Sequence, residues 1–187
     1  MRVVAGKFRG KRILDPIDVQ TRPLKDLTKE SIFNIIQHSK KFTFKLKNSQ
    51  ILDLFSGTGS FGIECLSREV KFVTFVENYI GILPILKKNL DNLKETNNYK
   101  IIEKNILLNL EFKMFKNKFD LIFLDPPYKE TKIKVILNSI FNSKILKYDG
   151  ILVIHRHKKQ NDEFPDNFKI IEKKKYGISQ IIFGKYF

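Results

Sequence analysis

The residues best suited to chemistry are the four of Asp125-Pro126-Pro127-Tyr128, which follow the apolar run 119–124. An exocyclic amine on an aromatic ring is a poor nucleophile, because its lone pair is delocalised into the ring. The Asp125 carboxylate and the Pro126 carbonyl could accept the protons of such an amine and direct its lone pair outward. Tyr128 offers a flat face for stacking a base, worth about 1–3 kcal/mol. The tetrapeptide therefore favours methylation of an amine, with a merely rigid Pro-Pro turn as the alternative.

A second candidate site lies in the stretch 51–62, where an apolar run is followed by three glycines. A strand, a glycine turn and a helix start form a cradle for a nucleotide-like ligand, because glycines admit close approach and the helix start offers unpaired N–H groups. Asp53 lies in the end of the first strand, and Glu77 closes the next apolar run, 71–76. A carboxylate at that second tip is placed to accept both ribose hydroxyl protons.

The glycine turn alone fits NAD and S-adenosylmethionine equally well. Asp125 and its neighbours decide between them, because an NAD-dependent oxidoreductase has no use for an amine-binding turn. The nearest alternative is a DNA methyltransferase acting on adenine N6 or cytosine N4, since the same chemistry serves any exocyclic amine. A non-catalytic RNA-binding protein that kept the fold is a further alternative, and the intact Asp125 and Tyr128 argue against it.

Composition limits the classes of protein that need to be considered. The chain has 187 residues, and 42% of them are hydrophobic, which suits one domain with a real core. It has no run of 18 apolar residues and no signal-peptide pattern, so we expect a cytoplasmic protein without membrane contact. The single cysteine, Cys65, excludes a disulfide scaffold and a Cys-rich metal site. We expect no metal.

The charge is strongly positive and unevenly distributed. The net charge is +15, and residues 1–50 carry 12 basic and four acidic side chains. Four of the six arginines fall within the first 22 residues, in a chain where lysine is the common cation. The planar fork of arginine suits phosphate, so this distribution predicts a polyanionic partner. The alternative is a solvated surface in a chain whose lysine number reflects genomic composition.

The hydrophobic pattern predicts an α/β fold with helices on both faces of a parallel sheet. A hairpin over residues 1–14 and a helix over 24–38 precede the alternating elements. We expect strands at 50–55, 71–76, 99–103, 119–124 and 151–155, and helices at 60–68, 79–95 and 131–141. Asp149-Gly150 predicts a turn, and two final strands, 168–175 and 178–186, predict an antiparallel hairpin around Gly177.

These motifs together resemble the class I S-adenosylmethionine-dependent methyltransferases. The opening segment 2–14, Arg22-Pro23 with the stretch 29–34, and Tyr176-Gly177 are similar to one family in particular, the bacterial 16S ribosomal RNA guanine-N2 methyltransferases of the RsmD family. The resemblance covers almost the whole chain. It implies a Rossmann-like sheet of seven strands in the order 3-2-1-4-5-7-6, with a basic extension at 1–48 and a methyltransferase domain at 49–187.

The resemblance also implies roles for individual residues. The backbone between Phe55 and Gly59 would cradle the methionine part of the cofactor, and Asn78 would flank the adenine. Asn105 stands where the family has an aspartate that reads the adenine amino group, and its amide carbonyl could accept the same hydrogen bond. The residues expected to bind S-adenosylmethionine are Asp53, Phe55, Ser56, Gly57, Thr58, Gly59, Phe61, Glu77, Asn78, Asn105 and Ile106.

The same resemblance implies that Asp125, Pro126, Pro127 and Tyr128 hold a guanine flipped out of 16S rRNA, leaving S-adenosylhomocysteine as the product. We expect a monomer that acts on a small-subunit particle. Lys29 replaces an arginine of the family, and the residues expected to contact RNA are Arg2, Lys7, Arg9, Lys11, Arg12, Arg22 and Lys29. His155 stands where the family has glutamate, and the sequence assigns it no role.

Overall fold

The fold is built on a single mixed sheet, seen in a computed structural model that describes residues 1–18, 21–94, 97–108 and 110–187. The strand order is β3-β2-β1-β4-β5-β7-β6, as predicted. The strands β1 to β5 pair in parallel, and β7 runs antiparallel to both β5 and β6. The strands are β1 (Gln50–Leu54), β2 (Phe72–Val76), β3 (Tyr99–Ile102), β4 (Phe119–Leu124), β5 (Leu146–His157), β6 (Phe168–Tyr176) and β7 (Ser179–Tyr186).

Helices cover both faces of the sheet, because successive strand residues point to opposite sides. On one face the strands pack against three helices through a core that includes Ile51 and Phe61. On the other face they pack against one helix through a core that includes Leu52 and Ile136. The helices are α1 (Asp26–His38), α2 (Ser60–Ser67) and α3 (Leu83–Asp91) on the first face and α4 (Ile133–Asn142) on the second.

Glycine lets α2 start close to the sheet. Gly59 precedes the helix with φ of 82°, a conformation that favours glycine. Gly62 lies against β2, where an added Cβ would stand 2.2 Å from Phe75 Cε1. The tight glycine turn predicted after β1 is therefore confirmed, and its third glycine serves the packing of helix on strand.

The N-terminal segment forms a short hairpin that shares the main core. Arg2 and Arg12 form an antiparallel bridge, and the N–H of Val3 donates to the Lys11 carbonyl at 2.9 Å. Val3, Phe8 and Ile13 are buried in the same core as Ile51 and Phe61. The segment therefore packs directly on the first face of the sheet.

Two predicted boundaries are wrong. Asp149-Gly150 does not form the predicted turn before a strand; both residues lie inside β5. Phe119 pairs with Leu146 and Leu121 pairs with Ile151, so two residues along β4 correspond to five along β5. The extra residues of β5 form a bulge that includes Asp149 and Gly150. The helix predicted at 79–95 begins only at Leu83, because the Glu77 carboxylate holds the N–H groups just after β2 in a turn. Glu95, at its predicted end, lies outside the described residues.

No helix within the described part of the chain combines the length and apolar character that a bilayer span requires.

A Gly62→Ala substitution should lower the free energy of unfolding by about 1–3 kcal/mol, because the new methyl group overlaps the Phe75 ring. Chemical denaturation measures the change. In a Gly62→Ala background, Phe75→Leu should cost less than it does alone, because the smaller side chain makes room for the methyl group. Strictly additive losses would contradict this packing.

Candidate active site

A cavity of about 330 Å³ opens at the carboxyl ends of β1, β2 and β4, the edge at which ligands bind in such sheets. It brings together most residues predicted for the cofactor and the amine, although they come from widely separated parts of the chain. These are Asp53, Phe55, Ser56, Gly57, Thr58, Phe61, Glu77, Asn78, Asn105, Asp125 and Pro127.

Four predicted residues do not line this cavity. Gly59 faces α3, where an added Cβ would stand 2.5 Å from Leu86. Ile106 is 6% exposed and packs in the core on the other face of the sheet, so its side chain supports the loop and does not meet a ligand. Pro126 is buried behind the loop, and Tyr128 is covered by an arginine described below.

Asp53 places a buried carboxylate beneath the glycine turn. Its Oδ2 accepts the N–H of Gly62 at 3.0 Å, while Oδ1 is buried and has no hydrogen-bond partner among the described residues. Burial raises the pKa of Asp53 well above its usual range, and the nearby charges of Asp125 and Glu77 add to the increase. A buried acceptor without a partner is costly, so this oxygen is suited to a cationic or hydrogen-bonding ligand.

Glu77 ties the glycine turn to the end of β2. Its Oε2 accepts the Gly57 N–H at 2.8 Å, and its Oε1 accepts the N–H groups of Asn78 and Tyr79, each at 2.8 Å. A carboxylate offers about four acceptor positions. Backbone groups use three of them, which leaves Glu77 less capacity for a ribose than the sequence suggested.

Asn105 differs from its predicted use. Its Oδ1 accepts the N–H groups of Leu107 and Leu108 at 2.9 and 3.1 Å, so the carbonyl holds the turn after β3. Both acceptor positions of that oxygen are therefore occupied. The side chain has its Nδ2 donor left for the cavity, whereas the prediction was that its carbonyl accepts a hydrogen bond from an adenine amino group.

Asp125 is the first residue of the turn that the sequence predicts to bind an amine. Its N–H donates to the Leu54 carbonyl at 3.2 Å, which joins the tips of β4 and β1. Its Oδ1 lies 2.8 Å from Nδ1 of His155, and the Nη2 atom of Arg22 lies 3.9 Å from the same oxygen. The side chain is 14% exposed, so it is shielded but reaches the cavity.

The loop after Asp125 is braced by Arg156, a residue that the sequence analysis did not single out. Arg156 is fully buried; its Nη1 donates to the Pro127 carbonyl at 3.1 Å and its Nη2 to the Glu130 carbonyl at 2.6 Å. Asp162 neutralises the guanidinium through two contacts of 2.8 Å. Gln160 donates to the Tyr128 carbonyl at 2.7 Å. Arg156 is one of only two arginines beyond residue 22, and this scarcity was the one signal in the sequence that could have identified it.

Arg22, predicted to contact RNA, lies in the cavity. Its guanidinium carbon is 3.0 Å from the centre of the Tyr128 ring, a close cation–π contact. The side chain is 35% exposed. The guanidinium therefore covers the ring face on which a base was expected to stack.

The other predicted RNA contacts divide into an exposed group and one exception. Arg2, Lys7, Arg9, Lys11 and Arg12 are exposed on the hairpin. The hairpin runs along α2: Arg2 lies beside its start, and the N–H of Lys7 bonds Ser67 at its end. The eight residues of α2 span about 12 Å. The tip of the hairpin, at the far end of α2, therefore lies well away from the cavity.

Lys29 is the exception, because its burial contradicts the predicted contact with RNA. The side chain is 0% exposed; its Nζ donates to the Arg2 carbonyl at 2.7 Å and to Ser60 Oγ at 3.1 Å. Asp26 and Glu64 lie 3.5 and 3.9 Å away as counterions. Burial lowers the pKa of Lys29. Lys29 therefore joins the hairpin to α2 and has no surface to offer a nucleic acid.

Comparison with known proteins supplies the family. A family model described as "Conserved hypothetical protein 95" matches residues 1–185. A ribosomal RNA small subunit methyltransferase D from Buchnera aphidicola subsp. Acyrthosiphon pisum is 34% identical over 175 residues, covering 92% of this chain and 86% of that protein. The chain belongs to this family, the RsmD family.

Solved structures share the architecture of this family member. HI0767 from Haemophilus influenzae, described as a methylase, has a TM-score of 0.74 at 29% identity and covers 98% of this chain and 96% of its own. SMU.776, a methyltransferase complexed with SAH, has a TM-score of 0.62 at 12% identity, over 84% of this chain and 49% of its own. The chain therefore has the class I methyltransferase fold.

Proposed function

We propose that this chain transfers a methyl group from S-adenosylmethionine to the exocyclic N2 of one guanine in small-subunit rRNA. The observation that carries the proposal is that Asp53 and Asp125 open into one cavity at one edge of the sheet. A cofactor held near Asp53 and an amine held at Asp125 would meet within it. Membership of the RsmD family, and the name of the Buchnera relative, support the same reaction and substrate.

The residues around Asp53 fit S-adenosylmethionine. The buried Oδ1 of Asp53 would accept a hydrogen bond from its ammonium group, and the remaining acceptor position of Glu77 suits a ribose hydroxyl. The Nδ2 group of Asn105 could donate to a ring nitrogen of adenine. When bound, the cofactor supplies an electrophilic methyl group on a positively charged sulfur.

The turn after β4 would hold the amine. Asp125 accepts one amine proton. The Pro126 carbonyl, which was predicted to accept the other, is not bonded by any group in the described residues, but Pro126 does not line the cavity. Asp125 therefore carries the proposed orientation of the lone pair toward the methyl group, and in-line positioning supplies much of the rate. Proton loss from nitrogen after transfer needs no strong base, because the methylated amine is then positively charged.

The position of Arg22 supports guanine as the base. A guanidinium is a planar group edged with N–H donors, and the N1–H and N2 amino groups of guanine form a similar donor edge. In this site such a group already lies on Tyr128 and faces Asp125. A flipped guanine would take this place, and Arg22 would turn outward toward the RNA backbone. The cost of flipping, a few kcal/mol, would be met by contacts to phosphates.

The exposed cations of the hairpin are the proposed phosphate contacts, because such contacts position a protein on RNA without reading sequence. The described chain has no large RNA-reading module, which favours a partly assembled small-subunit particle as the substrate of a monomeric enzyme.

DNA amino-methylation remains the second candidate, since Asp125 could hold any exocyclic amine. Labelled methyl transfer to small-subunit particles and to duplex DNA separates the two, and mapping methylated guanines in rRNA with and without the gene identifies the target.

Asp125→Ala should lower turnover about 100- to 1,000-fold, because a preorganised acceptor at the reacting amine is lost. Methyl transfer into small-subunit particles measures turnover, and calorimetry with S-adenosylhomocysteine should show cofactor affinity within about twofold of the original. Asp120→Ala is the matched control, since Asp120 lies at the opposite end of the same strand and pairs with Lys147. Unchanged turnover in Asp125→Ala would contradict the catalytic role.

Cofactor binding should become tighter as pH rises. Burial raises the pKa of Asp53 in the free protein, and an adjacent ammonium group would lower this pKa again. At a pH between the pKa of the bound protein and that of the free protein, binding therefore releases a proton. Calorimetry with S-adenosylhomocysteine in buffers of different ionisation enthalpy measures that release. Asp53→Asn should abolish it, whereas Glu77→Gln should weaken binding and keep it. An undiminished release in Asp53→Asn would refute the assignment.

Arg22→Ala should weaken binding to small-subunit particles about tenfold, equivalent to about 1.4 kcal/mol, and leave cofactor affinity intact. Arg22→Lys should recover part of the loss, because it keeps the charge but not the planar fork. Filter binding measures the RNA affinity and calorimetry the cofactor affinity. An equal loss of both affinities would count against a role in RNA contact.

A further inference from the structure

His155 links Asp125 and Ser179 in a chain of two hydrogen bonds. Its side chain is 5% exposed at the end of β5. Its Nδ1 lies 2.8 Å from Asp125 Oδ1, and its Nε2 lies 2.8 Å from Ser179 Oγ. Both ring nitrogens therefore have a partner, and one of those partners is the carboxylate at the centre of the proposed amine site.

The sheet brings the three residues together. Leu124 pairs with Ile154, so the next residues along these parallel strands, Asp125 and His155, lie side by side. Ser179 begins β7, and its antiparallel pairing with β5 places it diagonally beside His155, on the same face of the sheet. Backbone pairing between strands fixes the three side chains, although His155 is 30 residues from Asp125 and 24 residues from Ser179 in the chain.

The chemistry of the partners limits where the protons can lie. A carboxylate group can only accept hydrogen bonds, so Nδ1 of His155 is the donor to Asp125. A hydroxyl can both donate and accept, so Ser179 can bond Nε2 with either charge on the ring. The ring is held from both ends, which fixes its rotation. A ring that cannot rotate fixes in turn the plane of the carboxylate that it bonds.

We propose that His155 is a positioning residue that, with Ser179 behind it, holds Oδ1 of Asp125 and thereby fixes the orientation of the carboxylate toward the substrate amine. This inference rests on the proposed function, in which Asp125 is the amine acceptor. Holding one oxygen removes the freedom of the carboxylate to rotate, so the amine lone pair is aimed by a fixed acceptor. A misplacement of about 1 Å at a reacting group can cost about 100-fold in rate.

The site also contains Arg22, whose Nη2 atom is 3.9 Å from the same Oδ1. Arg22 is partly exposed and reaches Asp125 from the cavity side, whereas His155 reaches it from within the sheet. When Arg22 leaves to admit the base, His155 is the side-chain donor that remains on the carboxylate. The orientation of Asp125 is thereby preserved while the cavity side is cleared for substrate.

Three variants test the proposal. His155→Phe fills the space but removes both hydrogen bonds, His155→Gln keeps one amide donor toward Asp125, and Ser179→Ala removes only the far partner. Tyr186→Phe is the matched control, because it removes one partly buried hydrogen bond, from Tyr186 at the end of β7 to the Leu137 carbonyl of α4. For each variant, kcat and KM for small-subunit particles, the affinity for S-adenosylhomocysteine and thermal unfolding are measured.

We expect kcat to fall about 100-fold in His155→Phe and by a smaller factor in Ser179→Ala, with KM and cofactor affinity within about twofold of the original. His155→Gln should recover part of the rate. Tyr186→Phe should lose comparable stability and keep its kcat. A kcat loss that follows the loss of stability across all four variants, with no recovery in His155→Gln, would overturn the proposal and leave His155 a structural residue.

The Asp125→Ala variant distinguishes failure of this inference from failure of the proposed function. If Asp125→Ala lowers turnover by the expected factor and His155→Phe keeps its kcat, the positioning role is wrong and the function stands. If Asp125→Ala retains turnover, both are wrong. If Asp125→Asn leaves a residual rate, adding His155→Phe should lower it no further, because the two residues act as one unit; a full additional loss would overturn the coupling.

Discussion

The parallel pairing of β1 with β4 is the constraint on which the site depends. Asp53 pairs with Phe123, Leu54 pairs with Leu124, and the N–H of Asp125 bonds the Leu54 carbonyl. A slip of one residue in this register would turn one of the two aspartates away from the cavity, because successive side chains alternate between faces. The hydrogen bonds of the strands thus set the distance between the proposed cofactor and amine sites.

This register concentrates negative charge, and the surrounding structure compensates for it. Asp53, Glu77 and Asp125 line one cavity, and the proximity of the other two helps to raise the pKa of Asp53. Backbone N–H groups satisfy most of the Glu77 carboxylate, while Asp125 meets Arg22 and His155. Of these carboxylate oxygens, the buried Oδ1 of Asp53 has no hydrogen-bond partner among the described residues. The cavity is therefore preorganised for a ligand that carries positive charge.

A buried acid on α2 holds the basic N-terminal segment against the rest of the fold. Glu64 of α2 is 0% exposed; it accepts the N–H groups of Val4 and Ala5 at 2.7 and 3.0 Å and bonds Nε of Arg68 at 2.9 Å. Lys29 completes the network from α1. Because these contacts fix the backbone of the hairpin, its exposed arginines and lysines keep a defined direction relative to the cavity.

The sequence by itself determined the strands, the helices and the membership of most of the cavity, because apolar periodicity and glycine turns are local signals. The strand order followed from the resemblance to the RsmD family, since local patterns do not say which strands pair. The sequence also identified Asp53, Glu77 and Asp125, since residues at strand tips of a parallel sheet must converge on one edge. Only the tertiary structure decided the partners of polar side chains. Pairing of β4 with β5 gave His155 its carboxylate. Packing of the hairpin and α2 against α1 buried Lys29, and the loop after β4 enclosed Arg156. Local patterns specify which face a residue occupies, whereas a hydrogen-bond partner depends on which strand or loop is packed beside it.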